Sequence, residues 1–279
     1  MKHIGIFYNF KTPAARDLAN ALRDRLTGLQ KEVWLCASNR EAKGCEMAPG
    51  TEVIISIGGD GTILRASRIA VPFDVPILGV NKGRVGFMTE IDGSEALEKV
   101  PRFLDSEHRI EERAMLEADL VPNHGAAPIR GLAALNDMVL ARGAAVRVAR
   151  IEVRVNGSLV ASYRVDGIVV ATATGSTGYA LACGGPIMPP ESRDLILTPV
   201  SAHLSLSNPI MVPHDGSIEL RLVSDLPGRV SIDGQTEYAV GKGAVLTARR
   251  SPKVVRFLRA GNSTFYATLK ERLQTRATA

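Results

Sequence analysis

Apolar positions near the start of the chain form a short strand-like run and then a clear helical stripe. Residues 4–8 are an apolar run that ends at Asn9, and Thr12 followed by Pro13 is typical of a helix start. The helix that follows places a leucine every three or four residues, so one face is predicted to lie against a core. These leucines are Leu18, Leu22, Leu26 and Leu29.

Three further apolar runs predict buried strands with a helix between two of them. Residues 33–37, 52–57 and 75–80 fit strands, and residues 63–70 fit a helix. Strands that alternate with helices in this way favour a mostly parallel α/β sheet. Another helix, weakened by an internal proline, is predicted for residues 94–104.

Beyond about residue 114 the pattern changes to strands without helices between them. Residues 147–155 alternate apolar and polar side chains, and Asn156-Gly157 follows, a dipeptide that two-residue hairpin turns prefer. Further strands are predicted at residues 158–164, 168–172, 195–199, 217–223, 228–232, 244–249 and 254–259. A closing helix at residues 263–273 is predicted to pack back on the first part of the chain.

This change of pattern predicts two domains and a returning tail. We expect an α/β domain with a mostly parallel sheet at residues 1–112 and a β-rich domain at residues 113–260. Residues 261–279 are expected to return to the first domain. A length of 279 residues agrees with two domains, since a domain takes roughly 150 residues.

Composition narrows the class of protein. The chain is 45% hydrophobic and 23% charged, which is typical of a globular protein. A net charge of +5 suits an anionic ligand, but scattered basic residues and 5% aromatics do not favour a nucleic-acid partner. No apolar stretch approaches the roughly 18 residues of a membrane span, so we expect no membrane partner and a cytoplasmic location.

The three cysteines are Cys36, Cys45 and Cys183. Their odd number and the lack of a C-x-x-C pair support neither a disulfide framework nor a zinc ribbon. This cysteine pattern is most typical of a protein in a reducing compartment.

The first candidate for chemistry is the sequence Gly-Gly-Asp-Gly-Thr at residues 58–62. It joins a predicted buried strand to a helix, where open α/β sheets bind their ligands, and its glycines allow a ligand to come close to the backbone. Asp60 does not suit simple phosphate binding, because a carboxylate about 4 Å from a phosphate charge costs about 4 kcal/mol at an effective dielectric of 20. It requires a metal ion or a proton, as in phosphoryl transfer. A strand-to-helix turn without chemistry remains the alternative.

Standard nucleotide-binding motifs are absent. The chain has no G-x-x-x-x-G-K-[ST], no G-x-G-x-x-G after a predicted strand and no G-x-S-x-G or H-E-x-x-H. Any catalysis therefore uses a different loop.

The second candidate is the segment of residues 166–179, a strand followed by a loop rich in hydroxyl groups. Thr174 and Thr177 offer hydroxyl groups, Gly178 offers open backbone, and Tyr179 offers a flat face on which a base can stack. Together these features suit a nucleotide. Considered alone, the segment also fits a strand and a capped turn.

Two shorter features are less specific. Asn136-Asp137 places an amide next to a carboxylate within an apolar stretch, and it also fits a solvated kink in a strand. Asp233-Gly234 is most simply a hairpin turn.

These motifs, in this order and spacing, resemble the bacterial NAD kinase family over about residues 1–270. Gly-Gly-Asp-Gly-Thr alone is also found in diacylglycerol and sphingosine kinases, whereas residues 166–179, followed by Gly-Gly-Pro, are specific to the family. Residues 81–88, with Gly83, Gly86 and Phe87, also resemble it. The resemblance implies a two-domain NAD kinase-like fold and a homodimer or homotetramer. It implies transfer of the γ-phosphate of ATP, with Mg²⁺ or another divalent cation, to the 2′-hydroxyl of the adenosine ribose of NAD, which gives NADP.

The resemblance also implies roles for individual residues. Asp60 matches the catalytic aspartate, and Asp166 matches a residue that reaches the nicotinamide amide, partly across a subunit boundary. The positions that match NAD-binding residues are Asp60, Gly61, Asn136, Asp137, Arg164, Asp166, Thr174, Thr177, Gly178, Tyr179 and Gln235. The positions that match the phosphate or ATP site are Gly58, Gly59, Gly61 and Thr62. No metal ligand is assigned.

At three of these positions we compare the residue present with the residues found in family members. Asp137 stands where many members have glutamate, so its hydrogen-bond partner is left open. Gly178 stands where alanine is common, and Arg164 stands where members that prefer oxidised NAD tend to be basic. The cleft between the two domains is expected to be the site.

Two other functions stay open at this point. A lipid kinase of the diacylglycerol type would share Asp60 but has no need of the loop around Tyr179. A non-catalytic regulator would bind NAD and form no phosphorylated product.

Overall fold

The structure is a computed structural model, and the chain divides into two compact units. One unit is Met1–Glu112 with Val255–Ala279, and the other is Arg113–Val254. The described residues are 1–39, 49–82, 86–106, 108–143, 147–202, 207–261, 265–266, 269–270 and 273. The domain limits taken from the sequence stay predictions.

The first unit is built on a parallel sheet with helices in the connections. Its strands are β1 (His3–Tyr8), β2 (Glu32–Ala37), β3 (Val53–Gly58), β4 (Ile77–Asn81) and β5 (Ile91–Asp92). Its helices are α1 (Pro13–Gly28), α2 (Asp60–Ala70), α3 (Ala96–Asp105) and the short 3₁₀ helix Val71–Phe73. The strands lie in the order β4, β3, β1, β2, all pairs are parallel, and β5 pairs with β4. The predicted α/β sheet is therefore confirmed.

Helix α1 follows its predicted start and ends slightly before its predicted stripe. Thr12 is the N-cap and Pro13 the first helical residue. The buried face contains Leu18, Leu22 and Leu26, which pack in one cluster with β1 and β3. Leu29 is 41% exposed, because the helix has already ended at that residue.

The second unit consists mainly of antiparallel strands. They are β6 (Arg109–Val121), β7 (Ile129–Ala134), β8 (Asp137–Arg142), β9 (Ala149–Val155), β10 (Ser158–Val165), β11 (Gly167–Ala171), β12 (Leu195–Val200), β13 (Ile210–Val212), β14 (Ser217–Leu222), β15 (Gly228–Ile232), β16 (Thr236–Val240) and β17 (Val245–Arg259). Strands β6 and β17 are long enough to run from one unit into the other along the chain. In the described part of this unit, the helical structure is a 3₁₀ helix, Gly175–Thr177, and the single turn α4 (Tyr179–Ala182).

Two sheets face each other within this unit. One has the order β10, β9, β14, β17, and the other has the order β13, β12, β11, β8, β15, β16. Their inward side chains form one core, for example Ile151 and Leu220 from the first and Val170 from the second. On the outer face of the second sheet, Val169 packs with Ala180 of α4. The predicted β-rich domain is confirmed, and helix α4 packs on the outer face of its second sheet.

The structure contains strands that the sequence did not predict and one long strand that was predicted as two. Residues 244–249 and 254–259 belong to one strand, β17. Strand β6 lacks a clear apolar alternation because its inward positions include the charged Glu111 and Arg113, which are both buried. Strands β5, β7, β8, β13 and β16 were also missed. Of the predicted helix at residues 263–273, residues 265–266, 269–270 and 273 are helical, and the remainder lies outside the described residues.

The cysteines differ from the expectation. Cys36 of β2 is disulfide-bonded, although the cysteine pattern did not suggest a disulfide. Cys183 is a free thiol, and Cys45 lies outside the described residues. None of the helices in the described part of the chain has the length and hydropathy that crossing a membrane requires.

Candidate active site

The Gly-Gly-Asp-Gly-Thr loop is the turn from β3 into α2. Gly58 ends the strand with φ +155°, and a Cβ atom there would lie 2.3 Å from Thr62 Oγ1. Gly59 is the N-cap, so Asp60 becomes the first residue of α2. Because β3 is a parallel strand, this turn lies at the carboxyl end of the sheet, where ligands of such sheets bind.

Backbone N–H groups of residues 87 and 88 hold the Asp60 carboxylate. Phe87 N donates to Oδ2 at 3.0 Å, and Met88 N donates to Oδ1 at 3.1 Å. Gly86 is needed for this approach, since a Cβ atom there would lie 2.1 Å from Asp60 Oδ1. A carboxylate has about four lone-pair positions, so each oxygen can still accept another partner.

The segment that supplies these amides follows β4. Gly58 and Asn81 are register partners at the ends of β3 and β4, so the residues after both strands meet at one sheet edge. Within the segment 81–88, which resembles the family, the described residues Phe87 and Met88 are the ones that contact the Asp60 carboxylate. Gly83 lies outside the described residues.

In the second unit, Asp233 holds the Asn136-Asp137 pair. Asp233 Oδ1 accepts from Asn136 N at 2.7 Å and from Asp137 N at 3.2 Å, and its Oδ2 accepts from Leu135 N at 3.0 Å. Asp233 and Gly234 have φ values of 52° and 63°, as the hairpin turn between β15 and β16 requires. The turn predicted from the sequence is therefore present and also fixes two candidate site residues.

Asp137 is a buried carboxyl group with a strongly altered proton affinity. Asp137 is only 7% exposed. Burial, and to a smaller extent the negative charge of Asp233, together raise the pKa of Asp137 to about 7. Asp137 therefore changes its charge near neutral pH.

Some polar side chains in the hydroxyl-rich loop and in the neighbouring Asn136-Asp137 pair make hydrogen bonds within the protein, and others do not. Thr172 Oγ1 donates to Leu135 O at 2.6 Å, and Ser176 Oγ donates to Ala173 O at 2.6 Å. Among the described residues, Thr174 Oγ1 and Asn136 Oδ1 are buried and make no hydrogen bond. Native proteins rarely leave buried polar atoms unpaired, so these two atoms indicate a ligand or water position.

Gly178 and Thr177 belong to the same loop. A Cβ atom on Gly178 would lie 3.7 Å from Asp137 Oδ2 and 3.9 Å from Asn136 Nδ2. Thr177 is buried, and its hydroxyl donates to Thr174 O at 3.3 Å. The structure thus brings together Asn136, Asp137, Thr174, Thr177 and Gly178.

Tyr179 begins α4 and is 46% exposed. Partial burial raises the pKa of the Tyr179 phenol, and Cys183, Asp166 and Asp137 act in the same direction. Burial also raises the pKa of the neighbouring Cys183 thiol. The ring is therefore a neutral, accessible surface beside the Asp137 carboxyl group.

Asp166 lies at the other end of β11 from the loop. In the sheet, Ala171 pairs with Asp137 and Gly167 pairs with Ala141, so Asp166 and Asp137 are on the order of 15 Å apart at the usual rise per residue. Arg142 Nε donates to Asp166 Oδ1 at 2.6 Å. The two acidic residues therefore occupy separate positions.

Two other predicted residues are less closely tied to the loop. Arg164 is exposed in β10, and within the described part of the chain its side chain makes no hydrogen bond or ion pair. Gln235 is half-buried and closes the Asp233 turn, where its N–H donates to Ile232 O at 2.9 Å.

The described residues contain no group of three His, Cys, Asp or Glu side chains that could hold a metal ion. Asp60, the first residue of α2, offers carboxylate oxygens next to the helix start. Mg²⁺ commonly binds one or two carboxylates together with substrate phosphates. The donor set therefore fits a cation that arrives with a nucleotide better than a resident metal centre.

Sequence reasoning missed three residues that support the site. The sequence indicates a hairpin turn at Asp233 and the end of a strand at Thr172, and it contains no signal at Arg142. A turn aspartate directly before a glycine was a visible signal, but its partners lie more than ninety residues earlier.

Two family models match the chain. The ATP-NAD kinase N-terminal domain matches residues 1–108, and the ATP-NAD kinase C-terminal domain matches residues 135–260. The Asp60 loop lies in the first match, and the Asn136 pair lies in the second.

Relatives with curated names match nearly the whole chain. It is 40% identical over 274 residues to a protein named NAD kinase from Dehalococcoides mccartyi strain CBDB1, covering 98% of this chain and 96% of the relative. It is 34% identical over 284 residues to an NAD kinase from Heliobacterium modesticaldum, covering 98% and 99%.

Solved structures match the fold. An NAD kinase from Archaeoglobus fulgidus in complex with ATP has a TM-score of 0.75 and 26% identity, covering 98% of this chain and 99% of that one. A yeast NADH kinase complexed with NADH has a TM-score of 0.84 and 21% identity, covering 98% and 87%.

Proposed function

The chain belongs to the NAD kinase family, and from this premise we propose that it transfers the γ-phosphate of ATP to the 2′-hydroxyl of the adenosine ribose of NAD. The product is NADP. The observation that carries this proposal is the pair of buried, unpaired polar atoms, Asn136 Oδ1 and Thr174 Oγ1, beside the Asp137 carboxyl group. An adenosine offers hydrogen-bond donors and acceptors on its base and hydroxyl groups on its sugar.

These residues bind the adenosine half of NAD. Asn136 and Thr174 pair with the base, and Asp137 accepts hydrogen bonds from ribose hydroxyls when it is ionised. Thr177 and Gly178 shape the loop around the sugar, and the Tyr179 ring stacks on the base. Relatives of this chain carry the name NAD kinase, which supports this choice of ligand.

Asp60 is the catalytic residue. Its carboxylate accepts the proton of the 2′-hydroxyl while that oxygen forms a bond to the γ-phosphorus of ATP. The bond from this phosphorus to the β–γ bridging oxygen breaks, and ADP leaves. The amides of Phe87 and Met88 fix its direction, and alignment of this kind is a large part of what phosphoryl transfer requires from a protein.

The start of α2 binds phosphate. The backbone of Gly58, Gly59 and Gly61 allows close approach, and Thr62 lies within the first turn. Helix N-termini favour anions because their N–H groups are unpaired along the helix. A divalent cation, when bound, neutralises phosphate charge, and Asp60 is the residue that would contact it.

The remaining assignments rest on family resemblance. Asp166 and Gln235 bind the nicotinamide half or the substrate near it, and Arg164 favours oxidised NAD. The separation of Asp166 from Asp137 along β11 suits the two ends of a dinucleotide. A cytoplasmic homo-oligomer in which a second copy completes the nicotinamide site is the proposed assembly.

One assay distinguishes this function from the alternatives. The purified protein is incubated with NAD, ATP and Mg²⁺, and NADP is detected with an NADP-specific dehydrogenase. We expect NADP to accumulate with time and enzyme concentration, whereas vesicles containing diacylglycerol give no phosphorylated lipid. NAD binding without NADP formation would instead support the non-catalytic regulator.

Tyr179→Ala is expected to weaken NAD binding about tenfold with little change in kcat. The reason is that stacking of a base on an aromatic ring contributes about 1–3 kcal/mol, and Tyr179 exposes its ring. Dissociation constants from titration calorimetry and KM values measure the effect. Tyr266→Ala removes another exposed tyrosine, in the first unit, and serves as the control. An unchanged affinity of the Tyr179 variant would contradict stacking.

A further inference from the structure

Arg259, the last residue of β17, is a buried arginine that joins three parts of the first unit. Its side chain is only 7% exposed. Nε and Nη2 donate to Glu111 Oε1 at 3.2 and 3.0 Å. Nη1 donates to Glu90 Oε2 at 3.1 Å and to Met88 O at 3.0 Å. The guanidinium group is therefore fixed by charged and backbone acceptors at once.

One of these acceptors, the Met88 carbonyl, belongs to a residue that also contacts Asp60. The Met88 N–H donates to Asp60 Oδ1 at 3.1 Å, while the Met88 carbonyl accepts from Arg259. The backbone of Met88 is thus held between the carboxylate and the guanidinium group. Further along, Glu90 N donates to Gly79 O at 2.8 Å, and a Cβ atom on Gly79 would lie 2.9 Å from Met88 O.

We propose that Arg259 is a positioning residue for phosphoryl transfer, which holds the amides of Phe87 and Met88 where they orient the Asp60 carboxylate. The inference rests on the proposed function, because it takes Asp60 as the catalytic group. Misplacement of a reacting group by about 1 Å can cost on the order of 10²-fold in rate. Arg259 acts through the segment of residues 86–90.

The first test compares Arg259→Lys with Arg256→Lys. Lysine keeps the charge, but its three N–H donors lie on one nitrogen, so it cannot replace the four hydrogen bonds that the three guanidinium nitrogens of Arg259 make. We expect kcat of Arg259→Lys to fall about tenfold or more, with KM for NAD within about twofold of the wild type. Arg256, on the same strand, pairs with Asp74 and Glu112 and serves as the matched control. Its variant is expected to keep a wild-type kcat.

The second test is hydrogen exchange of individual backbone amides, which does not depend on activity. In Arg259→Lys, the Phe87 and Met88 amides are expected to exchange about tenfold faster or more, since each loses a well-placed charged acceptor. Asp60→Ala removes that acceptor and is the positive control. A general loss of stability would instead speed exchange in β1 and β3 as well, and Arg256→Lys should change neither region.

Glu90→Gln provides a second variant if Arg259→Lys does not fold. It removes one charged partner of Nη1 and is expected to lower kcat and speed amide exchange in the same direction, by a smaller factor. Unchanged exchange at residues 87 and 88 in these variants would overturn the proposal. Faster exchange with an unchanged kcat would also overturn it. A wild-type protein that forms no NADP would refute the proposed function, whereas the exchange measurement would still decide whether Arg259 holds this segment.

Discussion

Asp60→Asn is expected to lower turnover at least about 10²-fold, the usual scale for loss of a general base. Asparagine keeps the size of the side chain and one oxygen that can accept a hydrogen bond. It cannot take a proton from a ribose hydroxyl, and its NH₂ group faces one of the two amides that now hold the carboxylate. The fold should remain intact, because the turn depends on the glycines around residue 60.

The measurement is kcat at saturating NAD and ATP, with circular dichroism and a thermal melt to check folding. Asp92→Asn is the matched control, since Asp92 is an exposed aspartate of the same unit that also accepts a backbone N–H, from Ser94 at 2.8 Å. Its variant should retain normal turnover. Near-normal turnover of Asp60→Asn would mean that another group accepts the proton.

Asp137→Asn is expected to stabilise the protein above pH 7 and to weaken NAD binding. Because the pKa of Asp137 is about 7 in the folded protein, against an ordinary value of 3.8, the folded state holds a proton that the unfolded chain releases between these values. In that window the free energy of unfolding falls as pH rises, and above pH 7 the loss is complete. The full effect is roughly 4 kcal/mol at 1.36 kcal/mol for each pKa unit.

Asparagine has no proton to lose in this range, so the two proteins should differ increasingly with pH. Urea denaturation at pH 5, 6, 7 and 8 should show the difference in unfolding free energy growing by roughly 3 kcal/mol in favour of Asp137→Asn. Parallel stability curves would contradict the raised pKa. The same argument predicts that wild-type affinity for NAD increases as pH rises through about 7, because ionised Asp137 accepts hydrogen bonds from ribose hydroxyls. The affinity of Asp137→Asn should be weaker and should lack this dependence.

The expected gain in stability and the expected loss of NAD affinity in Asp137→Asn have one cause. The Asp137 carboxyl group is buried beside the Asp233 carboxylate, which disfavours its charge. A ligand with hydroxyl donors compensates for that cost when it binds. We therefore expect the residue to destabilise the free protein in order to bind its ligand, as is common at functional sites.

Most of the fold followed from local patterns. The leucine stripe of α1 and the apolar runs of β1 and β3 were predicted nearly in place, because helical and buried-strand periodicity are properties of a few neighbouring residues. Asn156-Gly157 likewise gave the turn between β9 and β10, with φ values of 51° and 78°. Strand β6 escaped prediction because its inward charges are satisfied by distant partners; Glu111, for example, pairs with Arg259.

The candidate site was predictable only where its residues are consecutive. Residues 58–62 and 174–179 form continuous segments, so their glycines, hydroxyl groups and ring could be seen in the sequence. The family resemblance supplied the pairing of these segments with Asn136-Asp137, and their roles as NAD-binding or phosphate-binding residues stay predictions. Arg164 remains the least supported of them, because its exposed side chain has no described partner.

The amino-acid sequence by itself determined the strand-turn-helix that presents Asp60 and the alternation that builds the β-rich unit, since these depend on short-range sterics and periodicity. Only the tertiary structure decided which distant groups hold the backbone segments next to Asp60 and Asp137. Asp233 reaches the backbone of residues 135–137 because β15 pairs with β8, and Arg259 reaches Met88 because the end of β17 lies beside β4. Such contacts join positions far apart in the chain, so no local pattern encodes them, and they set both the direction of Asp60 and the charge of Asp137.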